Sequence, residues 1–154
     1  MPELRRATPD DLAALIALQR AAYAPNRVIL GVEPLPLIAD YEDILARYET
    51  WVVDGEKGLD GALILAPQAD HLLIWSVATA PGAQRRGLGG RLLAHAEARA
   101  AEMGTDTLKL YTGEKLTGNI AWYQRHGYVI EGVEARVGRN VVHMAKKLSK
   151  EARA

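Results

Sequence analysis

An apolar, β-branched segment that passes through a glycine-rich turn straight into a helix makes a pocket suited to a phosphate-bearing cofactor. His71 to Thr79 reads as such a strand, Gln84-Arg85-Arg86-Gly87-Leu88-Gly89-Gly90 as the turn, and Arg91 to Met103 as the helix. Glycine adopts positive φ readily and lets a ligand approach the backbone. The first turn of a helix offers N–H groups with no acceptor inside the helix, and its dipole adds partial positive charge there. A phosphate group is therefore favoured at this turn, and Arg85, Arg86 and Arg91 add full charges beside it. The competing reading is a plain connector, because short strand-to-helix loops often need glycine.

Two widespread phosphate loops do not fit. The dinucleotide fingerprint needs a third glycine three residues after the second, and that position is Leu92. The P-loop ends in Gly-Lys-Ser/Thr, whereas Gly90 is followed by Arg91 and Leu92. What remains is Gln/Arg-x-x-Gly-x-Gly/Ala, filled by Gln84, Gly87 and Gly89. This pattern resembles the coenzyme A pyrophosphate loop of the GNAT superfamily of acetyl-CoA-dependent N-acyltransferases.

The chain has 154 residues, which suits one domain over 1–154 with a sizeable core. No run is apolar for long enough to span a membrane, and the start Met1-Pro2-Glu3-Leu4 lacks a basic segment leading into an apolar one. Neither a membrane nor a secretory route is expected. The lack of cysteine rules out a disulfide framework, a thiolate nucleophile and a thiolate zinc site. It suits a cytoplasmic protein. Lys+Arg and Asp+Glu both total 19, which argues against a general nucleic-acid binder but leaves room for a local basic pocket.

The remaining segments predict alternating elements. Glu3 to Arg6 reads as a strand, and Thr8-Pro9-Asp10-Asp11 as a helix start in which Asp11 closes a capping box. Leu12, Leu15, Ile16, Gln19, Ala22 and Tyr23 keep helical period, with Gln19 the one polar member. Pro25 to Pro36 is rich in breakers and reads as a loop. A second helix carries Ile38, Tyr41, Ile44, Leu45 and Tyr48 on one face. Trp51 to Val53 and Leu59 to Ala66 are strands that lead into the one at His71.

The helix after the glycine turn buries Leu88, Leu92, Leu93, Ala96, Ala100 and Met103, with His95 and Arg99 on a solvated face. Leu108 to Tyr111 is a strand, Gly113 to Gly118 a turn and Asn119 to His126 a short helix. Tyr128 to Ile130 and Val141 to Lys147 close the domain around Gly138-Arg139-Asn140. The expected fold is a single mixed α/β (α+β) domain, with a central, mostly antiparallel mixed sheet flanked by helices.

A second motif lies on the short helix. Ala121-Trp122-Tyr123-Gln124-Arg125-His126-Gly127-Tyr128 is similar to the GNAT segment Ala-x-x-Tyr-x-x-x-Gly-Phe, with one residue fewer between alanine and tyrosine. The asparagine that many members carry seven residues before the tyrosine is Leu116 here, and Asn119 stands as the substitute amide. Taken alone, Tyr123 reads as a core residue. The two motifs in order, on the expected elements, identify the chain as a member of the superfamily.

That resemblance implies acetyl-CoA as co-substrate, no metal, and transfer of an acetyl group to a primary amine of a small molecule, peptide or protein by direct attack. Residues Gln84, Arg85, Arg86, Gly87, Leu88, Gly89 and Gly90 would hold the pyrophosphate. Val77, Ala78 and Thr79 would bind the pantetheine arm, and Asn119 would assist. Tyr123 would be the acid that supplies a proton to the leaving thiolate, and Glu114 the best available base, with His71 second. Glu114 also reads as a solvated turn residue. The acceptor pocket is expected between Tyr23–Pro36, the second helix and the Gly113–Gly118 turn, in a monomer or homodimer. A non-catalytic acyl-CoA sensor and an unrelated nucleotide binder are the rival readings.

Overall fold

A computed structural model describes residues 3–84 and 86–149. Seven strands form one sheet: β1 (Arg5–Arg6), β2 (Glu49–Gly55), β3 (Gly58–Pro67), β4 (Leu72–Thr79), β5 (Thr107–Gly113), β6 (Val129–Arg136) and β7 (Arg139–Lys147). Their order is β1-β2-β3-β4-β5-β7-β6, and every neighbouring pair is antiparallel except β4 and β5. The helices are α1 (Leu12–Leu30), α2 (Leu35–Ile38), α3 (Tyr41–Arg47), α4 (Leu88–Glu102) and α5 (Thr117–Arg125).

The sheet divides the core in two. Side chains alternate across a strand, so β3 sends Leu63 and Leu65 to one face and Ala62 and Ile64 to the other. The first face meets Leu92, Leu93, Ala96 and Ala100 of α4. The second meets Leu15 and Leu18 of α1 with Tyr41 and Ile44 of α3. This double burial explains the unbroken apolar run of β3. The expected helical stripes on α1 and α4 are the faces that are buried, except that Met103 ends 36% exposed.

The parallel pair is short. Only Leu72↔Leu108 and Leu73↔Lys109 are matched, although β4 runs on to Thr79 and β5 to Gly113. Beyond Leu73 the two strands part. β4 stays bonded to β3 and β5 to β7, so the sheet opens into a wedge at its middle.

Three expectations need correction. The segment from Pro25 is not a loop at its start: α1 continues through Pro25 to Leu30. Pro25 is exposed, and the stop comes from Gly31 in the left-handed region (φ 74), whose N–H donates to the Arg27 carbonyl at 2.9 Å. The second helix is two pieces, and Ile38 points outward, 64% exposed. His95 and Arg99 do not form a solvated face. Arg99 donates to both oxygens of Glu49, and the His95 ring meets the edge of Trp51 with centroids 4.3 Å apart. The end of β2 covers that side of α4.

Glu49 also accepts the Trp51 indole N–H at 2.8 Å. Burial opposes its ionisation, but the bonds from Arg99 and Trp51 win and hold its carboxyl below the ordinary glutamate range. A depressed carboxylate pKa stabilises the fold above its unfolded value, and the gain is lost as pH falls through the folded value. Glu49→Gln should therefore cost about 2 kcal/mol at pH 7. The difference from wild type should shrink toward zero as the medium is acidified below pH ~4, read from urea midpoints across pH.

A Cβ at Gly89 would lie 2.9 Å from the Trp122 indole. Gly89 is thus where the first turn of α4 meets α5. Gly89→Ala should destabilise by about 1–3 kcal/mol through overpacking. Most of that loss should vanish in a Trp122→Leu background, measured as a double-mutant cycle of unfolding.

Candidate active site

The wedge between β4 and β5 is a cavity of about 490 Å³, within the range of small-molecule sites. β4 and β5 supply its two sides, the start of α4 and the length of α5 one end, and α1, α2 and Arg139 of β7 the other. Backbone of the glycine turn lines it near α4, and Leu30, Leu35 and Pro36 line it together with Asn26, Tyr111 and Arg139.

At the first end, Gly87 takes the left-handed conformation (φ 75) as the N-cap of α4, and no side chain caps the helix. The first intrahelical bond runs from the Arg91 N–H to the Gly87 carbonyl at 3.1 Å. The N–H groups of Leu88, Gly89 and Gly90 therefore have no acceptor within the helix. A Cβ on Gly90 would meet nothing nearer than His126 Nε2 at 3.5 Å, so its surface is open. Those amides and the helix dipole make an anion cradle.

In the middle, β4 carries a bulge. Ile64 pairs with Ser76 and Leu65 with Ile74, which leaves Trp75 unmatched. Bulges redirect a strand's polar groups near sites. A chain of hydroxyls fixes this stretch. Gln19 donates to Ser76 Oγ and to Tyr41 Oη, both at 3.0 Å. The Tyr23 hydroxyl lies 2.8 Å from Ser76 Oγ and donates to the Val77 carbonyl at 3.3 Å. Tyr41 donates to the Pro36 carbonyl. Val77 therefore turns its carbonyl into the cavity. On an antiparallel strand the N–H of a residue points the same way as its C=O, so the Val77 N–H faces the cavity as well.

Tyr123 sits on α5 among Trp122 and Tyr128, with ring centroids 5.1 and 5.8 Å away. Burial, with Tyr23 and Tyr128 nearby, pushes its hydroxyl far above the ordinary tyrosine value. It stays protonated at neutral pH, and it lines the cavity without a hydrogen-bond partner among the described residues.

The wedge brings together Val77, Thr79, Gln84, Gly87, Gly89, Gly90, Asn119 and Tyr123. Ala78 faces the opposite core and is 2% exposed, and the Leu88 side chain is buried under α4, so each can offer only its backbone. Arg86 is ion-paired with Asp60 at 3.2 Å and does not line the cavity. Arg85 lies outside the described residues. Glu114 is exposed after β5, where its Oε1 accepts from Asn140 at 3.2 Å, away from the lining. His71 bonds Asp70 at 2.7 Å at the closed end of β4. Among the described lining residues there is no Asp, Glu or His.

Sequence reasoning missed the Gln19–Ser76–Tyr23–Tyr41 chain and Arg139. Gln19 had left a trace as the lone polar residue in an apolar stripe. Arg139 had left none, because it was read only as part of a turn. Arg27, in the α1 segment that borders the acceptor side, is paired with Glu33 at 2.7 Å on the surface.

Residues 15–128 match the acetyltransferase (GNAT) family. Mycothiol acetyltransferase of Geodermatophilus obscurus is 30% identical over 136 residues, taking in 82% of this chain and 40% of that protein. The YvbK N-acetyltransferase of Bacillus subtilis is 26% identical over 98 residues, 64% of this chain and 62% of that one. The chain thus spans only part of both curated relatives. Among solved structures, the PaiA N-acetyltransferase of Thermoplasma acidophilum in complex with coenzyme A has a TM-score of 0.79 at 17% identity, covering 96% of this chain and 99% of that one. The ribosomal-protein-S18-alanine N-acetyltransferase of Escherichia coli has a TM-score of 0.76 at 21% identity, covering 97% and 95%. With the wedge, the glycine turn and the family match over residues 15–128, the chain belongs to the GNAT acetyltransferase family.

Proposed function

We propose that this chain transfers an acetyl group from acetyl-CoA to a primary amine held in the wedge. The observation that carries the reading is the opening of β4 from β5 after two residue pairs, with an uncapped helix start at one end. The donor set fits the co-substrate. The N–H groups of residues 88–90 suit a diphosphate, with Gln84 beside them, and the open edge of β4 at Val77–Thr79 suits the amide-bearing pantetheine arm. Asn119 lies within reach of the same space. Acetyl-CoA supplies the acetyl group activated as a thioester, with a thiolate as leaving group.

In this reading the Val77 N–H donates to the thioester carbonyl and stabilises the charge that develops there. Tyr123 holds a proton for the sulfur. A free thiol has a pKa near 8.5, so donation from a hydroxyl kept neutral by burial helps the C–S bond break. Tyr23, fixed by Ser76 and Val77, keeps the strand in the geometry that aims this N–H. No carboxylate or imidazole lines the cavity among the described residues, and Glu114 would have to act through water. The acceptor therefore binds as the neutral amine, which then loses its proton to solvent after attack. The same feature favours one rival, an acyl-CoA-binding module without turnover. Release of free thiol over a panel of amines separates them, since a binder releases none.

Tyr123→Phe should lower kcat by roughly 10²-fold or more while leaving coenzyme A affinity within about twofold. Unchanged turnover would remove Tyr123 from the chemistry. The acceptor kcat/KM should rise about tenfold per pH unit below the acceptor's own pKa and level off there. That break should move when the acceptor is exchanged for one of different basicity. A break that stays at one pH for every acceptor would instead indicate a protein base.

A further inference from the structure

We infer that the acceptor is a small amine that also carries a carboxylate, and that Arg139 is the residue that selects it. This rests on the acetyl-transfer reading above. Arg139 is the one cation among the described cavity-lining residues, and it lies at the end away from the α4 cradle. It is half-buried; its backbone lies in the β6–β7 ladder opposite Arg136, and its side chain makes no ion pair or hydrogen bond with any described residue. Arg5, Arg27, Arg47, Arg86, Arg99 and Arg136, by contrast, all have carboxylate partners. A guanidinium left unpaired beside a cavity is costly unless a ligand supplies the anion, and its planar fork matches a carboxylate.

The neighbours fit the same ligand. Asn26 lines the cavity with its amide unbonded to any described residue. Burial raises the Tyr111 hydroxyl, so it remains a neutral donor, and Arg139 is close enough to oppose that rise in part. No acidic residue lies among the lining to compete for Arg139. The space is also narrowed here. A Cβ on Gly138, at the β6–β7 tip, would meet Val32 at 3.3 Å, and one on Gly113 would meet Leu30 at 2.5 Å. The hairpin and the segment at the end of α1 therefore pack against each other beside the cavity. The cavity must house a pantetheine arm as well, so the remaining room suits a compact acceptor rather than a folded protein.

The test compares matched pairs, amino acids with their amino group at the α, β or γ position and the corresponding primary amides, in the thiol-release assay. With kcat/KM expressed per neutral amine, wild type should prefer the acids by about tenfold or more, the scale of a charge-assisted bond. On the same basis the acid-to-amide ratio of R139Q should fall to within about twofold of one, and R139K should keep part of the preference. Coenzyme A binding to each variant reports whether the cavity is intact. Equal use of acids and amides by wild type, or a preference that survives R139Q, overturns the inference while acetyl transfer stands. If no amine is acetylated although acetyl-CoA binds, the acetyl-transfer reading fails. Calorimetry of acid against amide on the coenzyme A-saturated protein then decides for Arg139, and equal affinities overturn its role.

Discussion

The parting of β4 from β5 is the constraint on which the molecule turns. Parallel neighbours normally continue their ladder, and a strand edge without partners leaves N–H and C=O groups exposed. Here the ladder stops after Leu73↔Lys109, and both strands keep their other neighbours. In the proposed function the amides of the pantetheine arm take the missing place. The sheet is stable as two halves, β1-β2-β3-β4 and β5-β7-β6, joined at the closed end and by the helices that cross it. Binding capacity is thus built into the sheet rather than added in a loop.

Burial does two opposite things around this wedge. It keeps the Tyr123 hydroxyl neutral, where an ordinary tyrosine would already be mostly neutral at pH 7. It also favours a partner for every polar group inside; on the α1 side the Gln19–Ser76–Tyr23 chain supplies partners for the Gln19 amide N–H and both hydroxyls, while Gln19 Oε1 is left without one among the described residues. Rigidity at Val77 and availability at Tyr123 therefore come from the same low-polarity surroundings. One hydroxyl is spent on holding the strand, and the other is left open toward the ligand.

Much of this was legible in the residues. The strand, the glycine turn and the helix after it follow from local chemistry and form in that order, but the helix begins at Leu88, so Leu88, Gly89 and Gly90 are its first turn and not part of the loop. The mostly antiparallel mixed sheet was also foreseen. What failed were inferences that needed tertiary contacts. Pro25 looked like a breaker, yet packing carries α1 on to Gly31. His95 and Arg99 looked solvated because nothing in their own helix says that Glu49 and Trp51 cover them. Gly89 looked like a glycine kept for a ligand, and it is also needed for the Trp122 ring. Arg139 could not be placed without knowing that β7 returns beside β5 and brings the hairpin tip over the cavity.

The three tryptophans are unevenly distributed, and this gives the molecule an optical property. Trp75 and Trp122 both face the cavity, one from the β4 bulge and one from α5, while Trp51 is clasped outside it by Arg6 and Arg99. With no phenylalanine in the chain, near-ultraviolet signals come from tryptophan and tyrosine alone. Two of the three indoles report on the wedge and the third serves as an internal reference, so the native protein carries its own fluorescent gauge of occupancy.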